Sequence, residues 1–418
     1  MKRRAFLKKG SIFSAGLASG PLVYPFLKGE RFLKNEGQAP SLVAKDVQVL
    51  VLDGPPRKRG QIHGEALKSK IKEVIAKWKD FLHESRHIEP DKYINKFLEE
   101  TNFLPAIKKW TPDLLEETEG IGEGAGIDFK TIYAFQLLDE EWLFGRKIVL
   151  ESVAPNPHHC SALGVFNQED YPAIQAQNMD IPDYGDGFQV LLHIKHQNSS
   201  LESFVFTYAG LVVLNGMNNV PLGLCCNTLD QLNNSTDGLP VAFFNRGVLG
   251  QTTLEGAVQF VHNIKHASGQ NYIIGGTEKV YDHECSANKV CQFVPYQEAA
   301  RVYHTNHPLM NDDQSIYKEM RQKMTAEEKK QMPLNSEIRF SSLEKKLKDT
   351  LKKVTVETVQ AILSSHDHPQ HPICRHKKPS GGSMTIGCTI MVLSSSPELH
   401  FAPGPPCTTA FKIYRFKS

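Results

Sequence analysis

A cysteine that follows two histidines and opens a strand-like run carries the strongest chemical signal in the chain, in HHCSALGVFNQEDYPAIQAQNMD (158–180). A mid-chain thiol needs a base to become a thiolate, because its ordinary pKa is about 8.5. His158 and His159 are candidate bases, but adjacent side chains on an extended segment point to opposite faces, so at most one can serve. Cutting the chain between His159 and Cys160 solves the problem differently. The new α-amino group would have an ordinary pKa of about 7.7–8.0. Part of it is neutral at pH 7, and it is tethered to the sulfur it must deprotonate. The competing reading is a structural thiol at the head of a strand.

The neighbouring residues supply the other groups this chemistry needs. If 160–166 and 171–177 pair around the turn NQED, Phe166 faces Tyr171 and Cys160 faces Gln177, an inference that a one-residue slip would change. Asp180 is then placed to orient the amine and tune its basicity. Acyl transfer also needs donors aimed at a developing oxyanion, and losing one such donor costs about 10²–10³ in rate. Asn227, closing a turn and strand in VLNGMNNVPLGLCCNTLDQ (213–231), and Asn306, in VYHTNHPL (302–309), have the right side chains. Taken singly, each asparagine equally suits a turn or a cap.

These residues must be positioned by the elements around them. KDVQVLVLDG (45–54) alternates like a strand. GEALKSKIKEVIAKWKDFLHES repeats Leu67, Ile71, Val74, Ile75, Trp78 and Leu82 at helical spacing. Further on, GIGEGAG (120–126) reads as a connection between two helices, since it lacks the strand–turn–helix context of a phosphate loop. From residue 160 the texture changes to short strands: CSALGVF, YPAIQAQNM, GFQVLLHIKH, SFVFTYAGLVVL, VPLGLCCNTL, NYIIGG, CTIMVL and LHFAPG. Helical patterns interrupt them at TLEGAVQFVHNIKHA, PYQEAARVYH and around 336–364. Strands with helices around them predict stacked antiparallel sheets covered by helices, an α+β fold.

Forty-eight basic and 46 acidic side chains give a net charge of +2. That balance lacks the basic stripe of a nucleic-acid binder, so this class is set aside. KRRAFLKKG near the start looks like a twin-arginine export signal, with Arg3 and Arg4 before an uncharged run (10–27). The run contains Gly, Ser and Pro, which makes it a poor permanent span. It shows no clean cleavage site, which keeps an uncleaved membrane anchor in view. A periplasmic or other extracytoplasmic location is therefore expected. Eight cysteines in an exported chain invite disulfides, but if Cys160 stays free an odd number remains.

The motifs, in their order, resemble the acyl-coenzyme A:6-aminopenicillanic acid acyltransferase family, the C45 peptidases. These are N-terminal-nucleophile hydrolases related to choloylglycine hydrolases. The resemblance runs through GPPRKRGQIHGEAL (54–67), GIGEGAGIDFKTIYAFQLLDEEW (120–142), HHCSALGVF, AIQAQNMD, GMNNVPLGLCCNT, ASGQNYIIGG, HTNHPL, NSEIRFSSLEKKL (335–347), HDHPQHPICRH (366–376) and FAPGPPC (401–407). It implies an αββα sandwich made as an inactive precursor, with a signal or anchor at 1–36, a helical pro-segment at 37–159 and a catalytic chain at 160–418. It also implies Cys160 as nucleophile and, through its amine, base, with Asp180 orienting the amine and Asn227 and Asn306 at the oxyanion. Arg339 matches a family arginine that holds the site together. Bile-salt-hydrolysing relatives carry Arg where this chain has Gln177, which favours the acyltransferase branch.

His366, His368, His371, Cys374 and His376 are all metal-ligand types. Their spacing fits no zinc pattern, and the stretch resembles a family segment without a metal role, so neither a metal nor a cofactor is expected. The expected activity is hydrolysis of a small-molecule linear N-acyl amide through a thioester. Alternatives are acyl transfer to an amine, a non-cleaving amide-binding relative, and a papain-like Cys–His protease.

Overall fold

The computed structural model describes residues 42–148, 160–295, 300–331, 334–349, 352–379 and 381–417. The segment 1–36, together with His158 and His159, lies outside the described residues. Strand β1 (Gln48–Leu52) is followed by helices α1 (Pro56–Ala66), α2 (Lys68–Arg86), α3 (Pro90–Glu99), α4 (Leu104–Trp110), α5 (Pro112–Ala125), α6 (Phe129–Phe135) and α7 (Leu138–Ile148). After Cys160 come β2 (Ser161–Val165), β3 (Ala173–Pro182), β4 (Gln189–Lys195), β5 (Glu202–Tyr208), β6 (Asn215–Asn218) and β7 (Gly223–Thr228). Helices α8 (Val241–Leu249) and α9 (Leu254–Asn263) precede β8 (Gln270–Gly275), β9 (Val280–Cys285), β10 (Val290–Gln292) and β11 (Arg301–His304). The chain ends with α10 (Ser315–Gln322), α11 (Ala326–Gln331), α12 (Leu334–Leu347), α13 (Val356–Leu363), β12 (Ser383–Leu393), β13 (Glu398–Ala402) and β14 (Lys412–Arg415).

Among the described residues, the strands form an eight-stranded sheet, β1-β4-β5-β6-β7-β8-β9-β10, and a six-stranded sheet, β11-β2-β3-β12-β13-β14. Strands β2 and β3 pack face to face on β7 and β8. Alternation along β2 and β3 turns Leu163, Val165, Ile174 and Ala176 the other way, onto Leu343 and Leu347 of α12 and Val359, Ile362 and Leu363 of α13. Helices α8 and α9 cover the far face of the larger sheet. The result is the αββα sandwich that the resemblance implied.

The helical stripe expected from 67 to 82 is real: Leu67, Ile71, Val74, Ile75, Trp78 and Leu82 are all 4% exposed or less. The glycine-rich GIGEGAG, however, is not a connection. Its first six residues lie inside α5, and Gly126 caps the helix with φ +67°. Gly60 and Gly64 of α1 cross Gly120 and Gly124 of α5 so closely that a Cβ on any of them would collide with partner backbone. The glycines sacrifice helix propensity for this close approach. Buried Glu117 of α5 then pairs with Arg59 of α1 (3.0 Å) and Arg246 of α8 (2.9 Å), joining the segment before Cys160 to the one after it. Burial alone would raise the Glu117 pKa, but Arg246 and Arg59 pull it down to about 2.

Two other elements differ from the sequence pattern. PYQEAARVYH is strand rather than helix over its described end, because Arg301–His304 completes the six-stranded sheet beside β2. Arg301 Nη1 also caps Leu347 O and Asp349 O, both at 2.7 Å. The charged pattern at 336–364 divides between α12 and α13. Residues 213–231 supply two paired strands, β6 and β7, rather than a turn and one strand.

Candidate active site

The hairpin that carries Cys160 closes more tightly than the sequence suggests. Gln168 pairs with Tyr171 around a Glu169-Asp170 tip, and Ser161 pairs with Asn178. Ala162, rather than Cys160, therefore faces Gln177. The offset is two residues, an even number, so every side chain keeps its expected face. Cys160 moves level with Met179: its Sγ lies 3.5 Å from Met179 Sδ and 3.8 Å from Asp180 O. Burial, with Asp180 beside it, holds the thiol well above its ordinary pKa. In this setting the sulfur is a neutral thiol that needs a base.

Asp180 is fully buried on β3. Opposite it, β12 carries a bulge between Thr385 and Gly387, and Thr385 Oγ1 donates to Asp180 Oδ1 at 2.6 Å. Bulges re-aim side chains in this way next to functional sites. Asp180 Oδ2 accepts no hydrogen bond from the described residues, and Arg375 Nε stands 4.0 Å away. Burial raises the carboxyl to about 7, with Arg375 and the Thr385 hydrogen bond acting against it.

Arg339 binds the cysteine's own backbone. From α12, fully buried, its Nη1 donates to Cys160 O (2.6 Å) and Ser161 Oγ (3.0 Å), and its Nη2 donates to Asn306 Oδ1 (2.8 Å). Asn335, one turn earlier, holds Nε at 2.8 Å. Burial lowers even this guanidinium to about 10, although Asp180 favours its charge. Cys160, Asp180, Asn306 and Arg339 are thus linked by direct contacts, Asn227 lies apart from them on β7, and each asparagine amide gives one N–H to a backbone carbonyl. Asn306 Nδ2 donates to Thr228 O and Asn227 Nδ2 to His304 O, both at 3.1 Å. Asn227 Oδ1 accepts from Gln177 Nε2 (2.9 Å), and Gln177 Oε1 accepts from Asn215 Nδ2 (2.8 Å). Gln177 is the hub that ties the two sheets together beneath the site.

Cys160 borders an open pocket. Its walls are largely apolar and aromatic: Phe81, Trp142, Ile181, Tyr184, Tyr208 and Leu214. Gln136, Asp139, Glu141, Cys226, Thr228 and Asn245 add polar groups. Several of these come from α2 and α7, before Cys160. Pockets that combine an apolar lining with a few placed polar groups suit small-molecule ligands. Sequence reasoning missed Arg375, Thr385 and Asn245. No spacing pattern signals them, since Thr385 reaches the site through sheet pairing, Asn245 through helix packing and Arg375 from the loop before β12.

Of the histidine-rich stretch, His366, Cys374 and His376 converge, joined by the distant Cys407, while His368 and His371 stack on one another apart from them.

Residues 166–400, more than half of the chain, match the family model described as acyl-coenzyme A:6-aminopenicillanic acid acyl-transferase. The chain belongs to this family. Membership places it among amidases and acyltransferases of the N-terminal-nucleophile type. The matched stretch contains Asp180, Asn227, Asn306 and Arg339 and begins after Cys160. Three of the solved structures to which the chain is similar are these. The Caenorhabditis elegans N-acylethanolamine-hydrolyzing acid amidase ortholog is 16% identical, covering 62% of this chain and 100% of that one, with a TM-score of 0.39. A mutant conjugated bile acid hydrolase from Clostridium perfringens is 13% identical over 61% and 97%, TM-score 0.36. Penicillin V acylase from Agrobacterium tumefaciens is 15% identical over 61% and 86%, TM-score 0.39. No curated protein sequence matches.

Proposed function

We propose that the chain cuts itself between His159 and Cys160 and then hydrolyses linear N-acyl amides with Cys160 as nucleophile. The observation that carries this reading is the position of Cys160. Its sulfur borders the cavity, its carbonyl is gripped by Arg339, and the buried Asp180 carboxyl beside it has one oxygen without a hydrogen bond. A freed ammonium at Cys160 is the partner such an oxygen calls for, and it would bring the Asp180 carboxyl back toward its ordinary acidity.

In this mechanism the neutral amine takes the thiol proton and the sulfur attacks the amide carbonyl. The amine then gives its proton to the departing nitrogen, leaving a thioester. Water, deprotonated by the same amine, attacks the thioester and releases the acid. Asn227 and Asn306 are the assigned oxyanion donors. Each amide nitrogen has a second N–H beside the one it gives to a backbone carbonyl, and that second donor is the one assigned to the oxyanion. The apolar cavity walls support a hydrocarbon or aryl acyl group. The twin-arginine pattern supports a cell-envelope location, where coenzyme A is scarce and water is the more available acceptor, so transfer to an amine is the second reading.

Intact-mass spectrometry of the purified protein beside Cys160→Ala tests the proposal. Two fragments meeting at His159/Cys160 in the parent and one whole chain in the variant are expected, with release of free acid from N-acyl amides by the cut form alone. A parent that stays whole yet hydrolyses amides would instead support a histidine-assisted thiol. A whole and inactive parent would leave only amide binding.

A further inference from the structure

We propose that His366, Cys374, His376 and Cys407 bind one tetrahedral Zn²⁺ that clamps the 366–376 loop to the loop after β13. The inference does not depend on the reading of Cys160. The four donor atoms all lie within 4.8 Å of one another. His366 Nε2 and His376 Nε2 are 3.1 Å apart, Cys374 Sγ and Cys407 Sγ 3.3 Å, and Cys407 Sγ lies 3.2 Å from His376 Nε2 and 3.8 Å from His366 Nε2. Tetrahedral zinc with its usual bond lengths places its ligand atoms roughly 3.3–3.8 Å from each other. The sulfur–sulfur pair and the Cys407–His366 pair fall in this range, and the nitrogen–nitrogen pair and the Cys407–His376 pair are about 0.1–0.2 Å shorter, a shift within the reach of side-chain adjustment on binding.

The donor chemistry points the same way. Two thiols and two imidazoles form the N₂S₂ set that tetrahedral zinc takes in structural sites, and four protein ligands leave no open position for a substrate. A disulfide would account for two of the four residues only. It would also need the sulfurs at about 2.0 Å, and it gives no reason for two imidazole nitrogens to converge on the same point. His366 and His376 are exposed and Cys407 half-buried, which leaves a path for the ion to enter, while buried Cys374 anchors the base of the site.

The clamp would also serve the reaction centre. Two of its ligands, Cys374 and His376, flank Arg375, the guanidinium that faces Asp180. Arg375 N donates to Thr385 Oγ1 (2.9 Å), which in turn donates to Asp180. Asn178 Nδ2 donates to Ile373 O at 3.1 Å. The loop therefore presses one side of the site into place, and the ion makes Arg375 a positioning residue held from both sides. Zinc would take both sulfurs as thiolates.

The test is the zinc content of the purified full chain, measured by plasma mass spectrometry after incubation with zinc and dialysis. About one zinc per chain is expected, and exchange for Co²⁺ should give the intense visible bands of a tetrahedral thiolate site. His366→Gln, an exposed change that leaves the core untouched, should weaken zinc binding at least tenfold with an unchanged circular dichroism spectrum, as should Cys407→Ser. Chelation should lower Tm reversibly. A chain in reduced form that takes up no zinc, one that isolates with a Cys374–Cys407 disulfide, or zinc retained equally by both variants would each overturn the proposal.

Discussion

Asp180→Asn, made in the uncut Cys160→Ala background, isolates the electrostatic cost of the carboxyl before any amine is freed. Burial raises Asp180 from an ordinary 3.8 to about 7. Ionising it in the folded state therefore costs up to roughly 4 kcal/mol, at 1.36 kcal/mol per pKa unit. The sign follows from linkage. Below pH 3.8 the carboxyl is protonated whether the chain is folded or not, and Asp and Asn should be nearly equal. As pH rises from 3.8 through about 7, the unfolded chain ionises first and the Asp protein loses stability. Above pH 7 the loss levels off. The Asn variant escapes it while keeping an oxygen to accept from Thr385. Urea unfolding of both proteins at pH 4, 5.5, 7 and 8 should show the variant gaining from near zero at pH 4 to at most about 4 kcal/mol at pH 8. A flat difference would refute the reasoning. So would an Asp protein that is the more stable at pH 8, because Asp180 would then be a paired carboxylate at every pH.

Arg339→Ala removes charged donors to Cys160 O and Asn306; at about 1.5–3 kcal/mol each, stability should fall by roughly 3–6 kcal/mol, and the variant should stay uncut by intact mass. Glu117→Gln leaves buried Arg59 and Arg246 without their counter-ion, so unfolding free energy at pH 7 should drop by roughly 3–5 kcal/mol. In the unmutated chain the Glu117 contribution is complete above pH 4.5 and disappears as pH falls toward about 2. Self-cut fragments should therefore co-elute on gel filtration at pH 7. Gly120→Val pushes branched carbons into α1 backbone; overpacking of this kind costs about 1–3 kcal/mol or more, read as a lower Tm. Leu214→Trp narrows the cavity and should lower kcat/KM for long N-acyl amides at least about tenfold while self-cleavage proceeds.

The hairpin shows how far local pattern reaches. Alternation in CSALGVF and YPAIQAQNM placed every side chain on its true face, because alternation depends only on the pleat. The register depended on the two-residue tip at Glu169-Asp170, and turn length is weakly encoded when four polar residues separate the strands. GIGEGAG misled for a related reason. Glycine disfavours a helix in isolation, but a facing glycine pair on α1 makes that sequence the one that can cross at contact distance. In Arg301–His304, pairing with β2 overrode a helical pattern.

The sequence by itself determined most of the strands and helices, the αββα class through its resemblance, and which side chains to examine near Cys160: Asp180, Asn227, Asn306 and Arg339. Those follow from periodicity and from motifs whose order along the chain is preserved. Only the tertiary structure decided what each group is in place to do. It raised the Cys160 thiol and the Asp180 carboxyl by burying them, tied one N–H of each of the Asn227 and Asn306 amides to a backbone carbonyl, and brought Arg375 against Asp180. It also carried Cys407 across 31 residues of chain to His376. Solvent exclusion and long-range contact set these properties, and both are sums over neighbours that no spacing along the chain records.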